Sequence, residues 1–361
     1  MASTTTDYKF MGWVAKDKES FGNLVWEEYE PKPFTDDDVD IKITHCGICG
    51  SDLHTIRSGW GPTLYPAVVG HEIVGTVVKA GTNVKNVSVG DRVGVGAQSD
   101  SCHDCSSCKA GQESYCDNGF FGTYNALYKD NSKSYGGYAD YARLPAAFAF
   151  KIPDAIPSEV AAPLLCGGVT VFSPLKQLNA GPGKRIGIIG IGGLGHLGLL
   201  FAKAMGAEPV AISHSSRKKE DADKLGAVQF ISTKDDKDFA KTYRRTLDGI
   251  VCTANNADMP LYDYMELLKP GGQIILVGLP EEPFPALNIF PLVHNNTSIK
   301  GSLIGGSADI KEMLDVAAKA NVKTWVETRS MEDANQAVID MEDGKARYRY
   351  VLVNEKHANK L

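Results

Sequence analysis

The 361-residue sequence has no run approaching 18 uninterrupted apolar residues, so it offers no candidate membrane-spanning segment. Its first ten residues, Met1 to Phe10, contain no apolar stretch, and no secretory leader is expected there. Positive charge is not in surplus: 38 Lys and Arg stand against 44 Asp and Glu, a net charge of −6. No basic, aromatic-laced segment upsets that balance, so neither nucleic acid nor a membrane surface is expected as a partner. Internal repeats, low-complexity tracts and long linkers are also missing. The composition is that of a globular protein, 43% hydrophobic and 23% charged. The length suggests two domains, each with its own core.

Cysteine is scarce, eight residues in all, but its placement is uneven. Half fall within one fifteen-residue stretch, as Cys102-x2-Cys105-x2-Cys108-x7-Cys116. Four thiolates that close together suit a tetrahedral zinc site with no open position, which folds a lobe and does not catalyse. His103 interrupts the cluster and reads as an exposed residue, not a ligand. Of the scattered four, Cys49 and Cys166 bracket the triplet Gly70-His71-Glu72, which suggests a second site of mixed donors. Two thiolates and one imidazole from distant places leave an exchangeable position, as a catalytic zinc requires. On spacing alone either Cys46 or Cys49 fits. Asp52 is a candidate to orient His71 from behind. Disulfides in a secreted chain are the weaker alternative, because cysteines of intracellular enzymes more often bind metal. Cys46 and Cys252 are most simply buried small hydrophobes.

Residues 1 to about 155 read as short strands separated by turns. Val39, Ile41 and Ile43 alternate with polar neighbours, a period-two strand that delivers the Cys46–Cys49 loop. Further strands are expected at 72–79 and 91–95, with a turn-rich lobe at 98–118. The character changes near Pro153–Pro157. Strands are expected at 185–190, 209–213, 228–231, 250–252 and 273–277, with helices at 193–205 and 217–225. That rhythm implies a doubly wound parallel sheet, hence an α/β fold beside a β-rich one. Helices at 308–319 and 331–341 and a strand at 348–353 are expected to return to the first domain.

Gly190-Ile191-Gly192-Gly193-Leu194-Gly195 matches G-x-G-x-x-G, follows an apolar strand and opens a helix of small residues. Gly190 would make the tight turn, Gly192 would admit a pyrophosphate, and Gly195 would allow close helix–strand packing. Where an NAD site normally carries Asp or Glu about 20 residues later, this chain has Ser213-His214-Ser215-Ser216-Arg217-Lys218-Lys219. A carboxylate there would repel a 2′-phosphate, whereas hydroxyls and cations bind it. The hydroxyls and cations of Ser213–Lys219 are therefore expected to select NADP over NAD. Val277, closing its strand, is counted with the cofactor-binding residues.

Taken together, these motifs resemble the zinc-dependent medium-chain alcohol dehydrogenases, particularly the NADP-dependent cinnamyl alcohol dehydrogenase-like branch. The matching pieces are Cys46-Gly-Ile-Cys49-Gly-Ser51-Asp52-Leu-His54, Gly70-His71-Glu72 and the four-cysteine lobe. Ala162-Pro-Leu-Leu-Cys166-Gly-Gly-Val-Thr170, the glycine turn, Ser213–Lys219 and Arg347-Tyr348-Arg349-Tyr350 complete the set. The resemblance implies a GroES-like catalytic domain (1–160 and 303–361) and a Rossmann NADP-binding domain (161–302). It implies two Zn2+ per chain, the catalytic one held by Cys49, rather than Cys46, with His71 and Cys166. Glu72 matches an occasional fourth ligand, and Ser51 and His54 match a relay for the alcohol proton. Thr170 matches a residue beside the nicotinamide, and Arg349 an arginine near the cofactor. His214 departs from an arginine common in this branch, which makes NADP binding pH-sensitive. Trp60, Phe120 and Phe121 are candidates for an apolar substrate pocket. The implied reaction interconverts small-molecule primary alcohols and aldehydes, aromatic or medium-chain, with NADP(H). Polyol dehydrogenases commonly lack a cysteine at the place of Cys166, and quinone reductases lack zinc. A homodimer joined near Ile299–Ile304 and a cytoplasmic location are expected. The ending Asn359-Lys360-Leu361 echoes a peroxisomal signal only faintly.

Overall fold

The computed structural model describes residues 6–256, 258–283, 287 and 289–358; the Asn359-Lys360-Leu361 ending lies outside them. The chain divides into two compact units. One comprises Met1–Cys166, Gly306–Leu314 and Thr324–Leu361; the other comprises Gly167–Gly305 and Asp315–Lys323.

The first unit is built around the strand Asp38–Gly47, longer than its alternating core suggests. Val39, Ile41 and Ile43 are fully buried. The strand pairs antiparallel with Ile73–Ala80, Tyr141–Pro145 and Arg349–Val353 in a seven-stranded sheet. A smaller sheet joins Val25–Glu28, Met11–Ala15 and Ala67–Val68. The central strand ends at Gly47 and turns directly into a helix, Gly50–Ile56. The sequence gives little sign of so short a helix, and it starts on a glycine.

The second unit holds a six-stranded, all-parallel sheet. Its order is Gln229–Ser232, Glu208–Ser213, Arg185–Ile189, Leu247–Cys252, Leu268–Leu276, Ser298–Gly301. In sequence order this is 3-2-1-4-5-6, so the order of strand addition reverses between the parallel strands Arg185–Ile189 and Leu247–Cys252. Ile188, Val210, Ile212 and Ile250 are completely buried, as continuous apolar strands of a parallel sheet require. The expected helices here are shorter at their starts. Gly195–Ala204 begins after the glycine turn, and Ser216–Lys218 is a 3₁₀ turn preceding Lys219–Lys224.

A longer helical element also has no counterpart in the sequence reading. Residues 158–177 form a continuous helical segment: Ser158–Pro163, a π-helical turn at Leu164–Gly168, then Val169–Gln177. Pro163, Gly167, Gly168 and Pro174 are breakers locally. Burial overrides them: this segment is long and apolar enough to cross a membrane, yet 83% of its apolar window is buried within the protein. It is a core helix.

Candidate active site

The helix Gly50–Ile56 organises the first cluster. Asp52, at its third position, reaches back to accept the Cys49 N–H at 2.9 Å. That reciprocal cap fixes Cys49 at the helix entrance. Asp52 is fully buried and also accepts the Gly70 N–H at 3.1 Å and the Tyr138 hydroxyl at 3.1 Å. Gly70 has φ +101°, and a Cβ there would strike the Tyr138 ring and Cys46 Sγ. Only glycine lets the chain pass this point and bring in His71.

The sulfur of Cys49, a ring nitrogen of His71, a carboxylate oxygen of Glu72 and the sulfur of Cys166 lie within 4.8 Å of one another. Cys49 Sγ is 4.0 Å from Cys166 Sγ, and His71 Nε2 is 3.1 Å from Cys166 Sγ. Two thiolates on one tetrahedral zinc stand about 3.8 Å apart, from Zn–S bonds of about 2.3 Å. The donor set therefore fits zinc. The π-helical turn carries Cys166 to this point, a common use of such turns. Cys46 is buried nearby, but its thiol faces the Gly47 carbonyl at 3.6 Å and it stands outside the cluster.

Arg349 is almost fully buried and pairs directly with Glu72. Glu72 Oε2 and Arg349 Nε are buried without a hydrogen-bond partner in the protein. An orphaned carboxylate oxygen beside two thiols and an imidazole is what a cation would satisfy. Burial, opposed by Arg349 and reinforced by Cys49, pushes the Glu72 carboxyl up to about 7. The hydrogen bond from Cys166 drives the Cys49 thiol well below its usual range, against burial. Burial works against charge on His71, but Asp52 outweighs it and holds the imidazole well above its ordinary value.

Ser51 Oγ lies 3.6 Å from Cys49 Sγ. His54 follows three residues later on the same helix face and is partly exposed. Trp60 stacks on the His54 ring, centroids 4.4 Å apart and planes at 21°. The ring of Phe121 packs against Tyr128, centroids 4.7 Å apart, while Phe120 beside it is exposed. Phe121 thus sits in the two-stranded pairing of Gln98–Asp100 with Phe121–Gly122.

The second cluster gathers Cys102, Cys105, Cys108 and Cys116, again within 4.8 Å. Cys102 and Cys108 sulfurs are 3.9 Å apart, the tetrahedral spacing. Backbone N–H groups of Cys105, Cys108 and Asp117 point at these sulfurs at 3.3–3.4 Å, which favours thiolates. His103 turns away, to Asp100.

In the other unit, Gly190 has φ +84° at the end of the first strand, where the sheet order reverses. A Cβ at Gly195 would collide with the Gly190 carbonyl oxygen, while nothing lies within 4 Å of one at Gly192. Thr253, missed in the sequence, ties the turn by donating to the carbonyls of Ile189 (2.9 Å) and Gly190 (2.7 Å). Val277 follows the fifth strand of the sheet and is nearly buried, as is Thr170. Ser213 ends the second strand, followed by exposed His214, then Ser215 at the entrance of the 3₁₀ turn and Lys218 at its end. An unforeseen carboxylate, Asp235, accepts from Ser232 Oγ at 2.7 Å and contacts Ser216. Its only sequence signal was its place just past the third strand.

Comparison with known proteins agrees with this geometry. Residues 35–154 match the family described as Alcohol dehydrogenase GroES-like domain, and residues 193–319 match Zinc-binding dehydrogenase. NADP-dependent alcohol dehydrogenase 6 of Saccharomyces cerevisiae is 44% identical over 96% of both chains. A solved cinnamyl alcohol dehydrogenase of Sorghum bicolor superposes with TM-score 0.90 at 37% identity, over 96% of this chain and 98% of that one. A CAD from Helicobacter pylori, solved with NADP(H), superposes with TM-score 0.87 at 34% identity, over 98% and 99%.

Proposed function

This chain belongs to the zinc-dependent medium-chain alcohol dehydrogenase family, and from that premise we propose that it interconverts primary alcohols and aldehydes with NADP(H), acting mainly as an aldehyde reductase. The observation that carries the reading is the convergence of Cys49, His71, Glu72 and Cys166 beside Ser51. Cys49, His71 and Cys166, with Glu72 in reserve, would hold a zinc ion there, and it would supply Lewis acidity toward the substrate oxygen. The nicotinamide supplies the hydride.

Everything else falls to the chain's own groups. Ser51 Oγ delivers the proton to the nascent alkoxide, and His54, one turn further on, restores it from solvent. Arg349 opposes the rise of the Glu72 carboxyl and holds it in a direct ion pair. The glycine turn and the N-terminus of Gly195–Ala204 receive the pyrophosphate. Hydroxyls of Ser213 and Ser215 and the charges of His214 and Lys218 receive the 2′-phosphate. The names of the yeast and Helicobacter relatives support NADP, and that of the sorghum enzyme supports aromatic substrates. Thr170 and Val277 border the nicotinamide, and Trp60 and Phe120 border the aldehyde.

We assign the catalytic domain to residues 1–160 with 303–361, its metal site completed by Cys166 just past that boundary, the cofactor to 161–302, and four-cysteine zinc to the lobe 98–118. The strand Ser298–Gly301 is the sheet edge, and Ile289, Phe290 and Val293 just before it are exposed. An open edge beside apolar side chains suits a second copy, so we propose a cytoplasmic homodimer. The test is an aldehyde panel, benzaldehyde included, run with NADPH and NADH on protein of measured metal content. Two zinc ions per chain and a marked preference for NADPH are expected. Equal efficiency with NADH would overturn the cofactor assignment, and no turnover by zinc-replete protein would overturn the enzyme.

A further inference from the structure

We propose that Tyr124 is a second acceptor for the His71 Nδ1–H, beside Asp52, and thereby a positioning residue for the metal site, an inference that rests on the metal reading above. His71 Nε2 faces the cluster, 3.1 Å from Cys166 Sγ, so the ring proton is carried on Nδ1. Two acceptors face that nitrogen: the Tyr124 hydroxyl at 2.9 Å and Asp52 Oδ1 at 3.2 Å. Asp52 is already committed. Its Oδ2 takes the Cys49 N–H and the Tyr138 hydroxyl, and its Oδ1 takes the Gly70 N–H. Tyr124 is both nearer and less occupied by backbone donors.

Tyr124 is also held still. It is buried, and its ring is tilted against His71 with centroids 5.4 Å apart. Its neighbour Thr123 bonds the Gly96 carbonyl through Oγ1 at 2.6 Å and the Ala97 carbonyl through its N–H at 3.0 Å. Two acceptors on different elements fix the plane of the imidazole, which one alone would leave free to swing. A neutral phenol also adds no negative charge beside two thiolates. Partners behind a metal-bound histidine set ligand orientation and are worth about 10–100-fold in metal affinity.

The test is zinc release from holoenzyme to a chromogenic chelator, comparing wild type, Tyr124→Phe and Tyr138→Phe. The four-cysteine lobe of the same chain serves as the internal control. Tyr124→Phe is expected to speed release from the His71 site about 10–100-fold, leave the lobe's rate unchanged, and shift the visible bands of the cobalt-substituted site. Both variants lose a bond to Asp52 and only Tyr124→Phe also loses one to His71, so Tyr138→Phe is expected to do less. Equal release from wild type and Tyr124→Phe, or acceleration of both sites by one factor, overturns the role. If Tyr124→Phe fails to fold, a fluorotyrosine placed at 124 keeps the ring and weakens the acceptor; unchanged release there overturns the role as well. A wild-type chain that takes up metal only at the lobe overturns the underlying metal reading, a result told apart by needing no variant.

Discussion

Replacing Arg349 with methionine isolates the energetics of the site from its chemistry. The side chain keeps much of its apolar stem, while the partner of Glu72 disappears. Both residues are essentially inaccessible to solvent, so water cannot rescue the abandoned carboxylate. Breaking a buried pair from one side costs about 3–5 kcal/mol, because the remaining charge stays desolvated. With a urea slope of about 2–3 kcal/mol/M, the midpoint should fall by about 1–2 M. All four tryptophans, Trp13, Trp26, Trp60 and Trp325, belong to the unit that holds this pair. Their fluorescence during a urea titration of zinc-replete protein therefore reports the relevant unfolding. Glu72→Gln added to Arg349→Met removes the stranded charge and should recover at least half of the loss. A single variant within about 1 kcal/mol of wild type, or a double variant no better than the single, would refute this reasoning, since either result contradicts a buried unpaired charge.

Gly195→Ala drives a methyl group into the Gly190 carbonyl, so the turn must open; NADPH affinity by fluorescence titration should fall at least about 10-fold, consistent with the packing role of that glycine. Lys218→Ala should weaken NADPH by about 10-fold or more, one charge-assisted bond being worth about 1.5–3 kcal/mol, with NADH unaffected; Asp235→Asn should strengthen NADPH, and shifts of both cofactors together would deny a 2′-phosphate seat. Burial lowers the pKa of His45 and of His357, whose Nδ1 lies 2.9 Å from the Ile43 carbonyl. A histidine depressed in the folded state contributes stability above its unfolded pKa of about 6.5 and loses it as pH falls through the folded value. Urea midpoints should therefore drop between pH 7 and pH 5, less steeply in His357→Gln; parallel curves for both proteins would count against this.

The glycine turn was legible because its chemistry is local: strand, three glycines and helix follow one another in the chain. Both metal clusters were legible because soft ligands are few, and the structure gathers Cys49 rather than Cys46. What the sequence hid depends on side chains that arrive from elsewhere. Tyr124, Tyr138 and the Arg349–Glu72 pair are joined by the sheet, with separations in sequence of 53, 86 and 277 residues. The helical segment carrying Cys166 was missed because its prolines and glycines argue locally for a break, and only tertiary burial outweighs them. Asp235 escaped notice because it reaches the Ser216 turn from the turn that follows the neighbouring strand.

The seven residues Gly50–Ile56 carry more than their length suggests. A thiol of the candidate metal cluster stands at their entrance, a hydroxyl and an imidazole lie along one side, and Leu53 and Ile56 anchor the other in the core. These groups ride on a single rigid rod. A cavity beneath Leu53 would tip thiol, hydroxyl and imidazole together, so the proposed reactivity would be retuned from beneath, by a substitution that never touches the reactants.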